Sequence, residues 1–165
     1  MLSDWDFLVE VENFGVVGDA LPRLVAPLEP LAQQWDRLSS RRCWMLILAG
    51  PAKVDLIFPD EPHRAEPAWK PARDNLDAID AHFWDWMLWL AAKHARGNVD
   101  LVGAELEKLF GHLLVPLGAK RRPRSIAAAV AEYRAARAQA EARFAVVVDR
   151  GLEAAVAPAL ARIPP

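Results

Sequence analysis

Four prolines, Pro59, Pro62, Pro67 and Pro71, fall in one short stretch with charged residues between them. Each fixes its own φ and withholds a backbone N–H, so no regular helix can run through the stretch. The chain must fold as what lies before these prolines and what lies after them. The two sides read differently. Before them, β-rich runs flank one helical pattern; after them, every periodic segment has the 3.6-residue spacing of a helix. The expectation is an α+β fold: a small sheet-bearing domain over residues 1–60, a Pro-rich linker or draped loop over 61–73, and an α-helical bundle over 74–165.

The first part opens with Ser3-Asp4-Trp5-Asp6-Phe7-Leu8-Val9-Glu10-Val11, which reads as a strand. Side chains alternate across a strand, so Asp4 and Asp6 share one face roughly 6 to 7 Å apart, while Trp5, Phe7, Val9 and Val11 take the other. Carboxylates at that spacing can bind one hard divalent cation, or bridge two ions about 3.5–4 Å apart as in phosphoryl transfer. An exposed strand end with two solvated acids would show the same pattern. A helix is predicted over 21–38 from the spacing of Leu24, Leu28, Leu31, Trp35 and Leu38, with Pro22 in its first turn and Pro27 and Pro30 kinking or splitting it. Cys43 to Leu48 and Lys53 to Phe58 then read as a hairpin around the turn Ala49 to Ala52. Asp55 is the charge in the middle of its strand, among Val54, Leu56, Ile57 and Phe58. An acid there costs stability unless it is paired, hydrated or bound to metal.

With these residues in place, the chain resembles the nucleotidyltransferases of the DNA polymerase beta superfamily, and among them the small bacterial enzymes related to aminoglycoside adenylyltransferases. The resemblance rests on Ser3-Asp4-Trp5-Asp6-Phe7-Leu8-Val9 and on Val54-Asp55-Leu56-Ile57, within about the first 60 residues. It implies that Asp4 and Asp6 hold two magnesium ions, one shared with a nucleoside triphosphate such as ATP. It also implies that Asp55 ligates the other ion, nearest the attacking hydroxyl, and that Ser3 lies at the nucleotide. Members of the family carry a Gly-Ser turn roughly ten residues before the aspartate pair, and here Met1-Leu2 precedes Ser3 directly. The resemblance therefore predicts a first strand and phosphate grip missing from the sheet, an open edge on the aspartate strand, and pairing of that edge with a second copy in a homodimer.

The net charge of −2 demands neither nucleic acid nor an anionic membrane as partner, and the hydrophobic content of 53% suffices for a packed core. Cys43 is the single cysteine and sits in an apolar run, which suits a reducing compartment; the amino terminus has no leader-like pattern, and the cytoplasm is the expected location.

In the second part, helices are predicted over 74–96, 100–115, 125–148 and 152–161. On the first of these, Leu76, Ile79, Phe83, Trp84, Trp86, Met87, Leu88, Leu90 and Ala91 fill a wide apolar arc that also contains Asp80 and His94, with Asp74 and Asp85 outside it. Asp80 is thus expected to be partly buried and is the candidate general base for the acceptor hydroxyl, with Asp77 second; satisfaction by a neighbouring helix is the structural alternative. Asp74, Asp77, Asp80 and Asp85 would also suit a cationic acceptor such as an aminoglycoside, although solvated helix faces carry acids too. Lys120, Arg121, Arg122 and Arg124 lack interleaved aromatics and read as a solvated basic loop. The function expected is magnesium-dependent transfer of a nucleoside monophosphate, AMP, to a hydroxyl of a small molecule. The alternatives are a non-catalytic nucleotidyltransferase-like partner of the antitoxin type and an inactive truncated remnant.

Overall fold

The computed structural model describes residues 3–162, with the side chain of Ser3 outside the description. The chain forms two compact units that meet between Glu66 and Pro67, inside the proline-rich stretch.

The first unit is α+β. Its strands are β1 (Ser3–Leu8), β2 (Ala32–Trp35), β3 (Arg41–Leu48) and β4 (Ala52–Pro62), with helix α1 (Phe14–Val25) between β1 and β2. The sheet is mixed, in the order β1-β4-β3-β2: β1 runs parallel to β4, and the other neighbours are antiparallel. The predicted hairpin is β3–β4, closed at Leu48 and Ala52 around Gly50, whose φ of +92° falls in the left-handed region that suits glycine. Leu21 and Val25 of α1 pack on Trp44, Leu46 and Phe58, with Val9, Val11, Phe14 and Trp35 against the same cluster. At the edge of this face the cover ends: Trp5 and Phe7 remain 56% and 50% exposed.

The predicted helix over 21–38 is displaced. Asn13 caps α1 by accepting from the Val16 N–H at 3.2 Å, so the helix starts seven residues earlier than Leu21 and Pro22 lies well inside it. After Val25 a 3₁₀ turn (Ala26–Leu28) ends at Glu29, which has a left-handed backbone, and residues 32–35 join the sheet as β2. Pro27 and Pro30 thus terminate the helix, and pairing with β3 overrides a helical spacing in the residues beyond.

The second unit is helical: α2 (Leu76–Ala95), α3 (Val99–Leu109), α4 (Ile126–Phe144) and α5 (Gly151–Leu160). α2 packs against the other three and is buried nearly all round, including Asp85, which the apolar arc had placed outside. An arc drawn on one helix cannot anticipate that neighbours enclose it on every side. α3 runs on through a π-helical turn (Phe110–Leu114) and a closing turn (Val115–Leu117). Pro116 explains the irregularity: its ring clashes with the carbonyl four residues back and leaves it without an N–H partner. That carbonyl belongs to His112, and it accepts instead from the Trp69 N–H at 3.0 Å.

The expected linker over 61–73 is therefore divided between the units. Residues 61–62 complete β4, the His63 and Glu66 N–H groups bond to Ser40 and Arg37 carbonyls, and Trp69 is buried with its indole N–H donated to His82 Nδ1 at 2.9 Å. Among the described residues, no helix is long and apolar enough to cross a membrane.

Candidate metal centre

The β1–β4 register builds the candidate site. Asp4 lies beside Lys53 and Asp6 beside Asp55, so four ionisable side chains share one face of two neighbouring strands, with Met45 of β3 opposite Asp55. Asp4, Asp6 and Asp55 each offer a carboxylate oxygen, and these atoms lie within 4.8 Å of one another. That is the convergence expected of the three acids. Three hard oxygen donors at this separation suit a divalent cation such as magnesium or manganese. Asp6 is exposed, whereas Asp4 and Asp55 are half-buried, so the group is open on the Asp6 side.

Lys53 is the residue that the sequence reading missed. It is 4% exposed, and its ammonium forms an ion pair with Asp55 Oδ1. Burial pushes the Asp55 carboxyl above the ordinary range; Lys53 pulls it back, and Asp36 and Asp6 push it further up. Asp36 is a fourth acid in this neighbourhood, at the end of β2, where its carboxylate accepts from the Leu38 N–H at 2.7 Å. Strand alternation alone could have placed Lys53 on the face of Asp55. Asp36 was concealed by the helical reading of its segment.

Asp80 is placed in the helical unit. Its Oδ1 accepts from the Tyr133 hydroxyl, from Trp84 Nε1 at 3.2 Å and from Arg137 Nη1 at 2.8 Å, and Arg137 in turn pairs with Glu153. Burial pushes its carboxyl upward against the pull of Tyr133 and Arg137. A base needs a lone pair facing its substrate; Oδ1 already serves three donors, and the Asp80 side chain is only 4% exposed. The arrangement is the structural alternative stated for Asp80. Asp77, the second choice, is exposed at the start of α2.

Arg121 and Arg122 of the basic loop pair with Glu132 and Glu107 at 2.8 and 2.9 Å. His94 is half-buried and lines a cavity of about 590 Å³ with Val102, Leu106, Ile126 and Leu160. Trp89 is half-buried, with the Lys93 ammonium 5.2 Å from its ring centre. The side chain of Ser3, expected at the nucleotide, lies outside the described residues. No known family model, curated protein or solved structure matches the chain.

Proposed function

We propose that the face formed by Asp4, Asp6 and Asp55 is a magnesium site serving nucleotidyl transfer: AMP moves from ATP to a hydroxyl of a small molecule such as an aminoglycoside, and pyrophosphate leaves. The observation that carries this reading is the convergence of three carboxylates from two adjacent strands within 4.8 Å. Self-repulsion makes such a cluster costly in a folded protein, and a bound divalent cation offsets that cost. When bound, the cation supplies charge neutralisation around the phosphates, and Asp4, Asp6 and Asp55 are the residues that would hold it. Asp80 is left out of the reaction because its carboxyl is buried inside the helical unit, with Oδ1 held by Tyr133 and Arg137.

The test is an assay of ATP-dependent adenylylation over a panel of aminoglycosides and simple alcohols, with Asp4→Asn and Asp6→Asn alongside. Activity in the parent chain that falls at least about a hundredfold in both variants supports the reading. A chain that binds manganese yet transfers nothing favours the second reading, a non-catalytic nucleotidyltransferase-like partner. The ion pair of Lys53 on Asp55 favours that second reading, since it engages the acid assigned nearest the acceptor.

A further inference from the structure

The geometry points to a ligand site inside the helical unit: the cavity of about 590 Å³ beside His94 takes a medium-chain carboxylate, with the apolar tail among the helices and the carboxylate on Arg124. The cavity shares no residue with the acidic face of the sheet unit, so it stands or falls separately from the metal centre. Its walls follow from helical spacing. α3 contributes Val102 and Leu106, α4 contributes Ile126 and Val130, and each pair is one turn apart, so each wall is a continuous apolar strip; Leu160 of α5 adds a third side. Gly103, Ala127 and Ala157 line the same space and are too short to close it. A Cβ added at Gly103 would meet nothing within 4 Å. The volume falls in the range of small-molecule sites, and an apolar lining offers water few hydrogen-bond partners.

The ionisable groups at this cavity are all basic. His94, Arg124 and Arg134 line it, and among the described residues no aspartate or glutamate does. Arg134 is already held by Glu153 at 2.7 Å, and Arg121 and Arg122, the near neighbours of Arg124 in the chain, are held by Glu132 and Glu107. Arg124 has no carboxylate partner among the described residues; it is exposed, just before the first turn of α4. One uncommitted guanidinium matches one negative charge, and its planar fork matches the two oxygens of a carboxylate. An amphipathic monoanion therefore gains a charged partner at its head while its tail leaves water.

The test is isothermal titration of the full chain with octanoate, with butanoate, hexanoate and octan-1-ol for comparison. Affinity should rise about fourfold for each methylene added between butanoate and octanoate, as burial of the tail requires. Arg124→Gln should weaken octanoate about tenfold and leave the weaker binding of octan-1-ol unchanged. Gly103→Leu places a side chain in the open space and should abolish binding of both, while its Tm holds or rises because glycine is a poor helix former. No binding of millimolar octanoate to the parent chain overturns the proposal. So does octanoate binding that Arg124→Gln leaves unchanged, or that persists in the folded Gly103→Leu chain.

Discussion

The sheet unit and the helical unit each withdraw an aspartate from water, and they treat it in opposite ways. Asp80 in α2 meets a matched set of donors, a phenol, an indole and a guanidinium on one oxygen, and that guanidinium also pairs with Glu153, whose charge Arg134 balances. Asp55 in β4 meets one ammonium and, on the same face, two more acids that gather toward it. The first arrangement is electrically complete within the chain. The second gathers three carboxylates beside one ammonium. A buried acid alone therefore says little about function; the balance of its partners separates a structural carboxylate from a binding one.

Removing the cation from the complete network is the strongest way to break this comparison. Arg137→Met should cost about 3–5 kcal/mol, because it leaves Asp80 and Glu153 without their shared partner in a site where Arg137 is 5% exposed. Urea unfolding of the full chain measures it, and a loss under about 1 kcal/mol would mean that the network is not structural.

The incomplete site should respond to added ions instead. Magnesium at about a hundred times its Kd should stabilise the parent chain by about 2.7 kcal/mol through mass action, and Asp6→Asn should remove most of that gain. Thermal melts with and without the ion decide it. Equal shifts in parent and variant would place the ion elsewhere.

Tyr133→Phe sharpens the account of Asp80 by removing one donor while keeping the ring stacked on Phe83, whose centroid lies 3.7 Å away. A loss of about 1–2 kcal/mol is expected in the same urea experiment. A neutral result would assign the network to the guanidinium alone.

The smallest effect lies at the turn between α4 and α5. Arg150 grips Glu141 with two hydrogen bonds of 2.8 and 2.7 Å and holds that carboxyl below the usual glutamate range. The folded chain therefore takes up this proton less readily than the unfolded chain. The contribution is complete above the ordinary glutamate range and is lost as pH falls through the depressed value. Glu141→Gln should flatten that acid limb by about 0.5–1 kcal/mol, a modest figure because Arg150 is 45% exposed. Unfolding measured across the acid range, parent against variant, checks the sign.

Much of this architecture was legible in the residues. The prolines marked the division, alternation put Asp4 and Asp6 on one face, β-rich runs announced the hairpin, and the helices of the second unit appeared within a few residues of their predicted ends at most positions. These features are local, set by φ restriction and by side-chain direction along a single element. Tertiary structure decided what depends on neighbours. Residues 32–35 became a strand because β3 offered them a ladder, Asp85 was buried because α2 is enclosed on all sides, and Trp69 reached the His112 carbonyl that Pro116 had left open. The same holds at the candidate site. The sequence identified three acids, but their approach to within 4.8 Å is set by the parallel β1–β4 register, as is the entry of Lys53 among them. Register is a relation between two strands, and neither strand carries it alone.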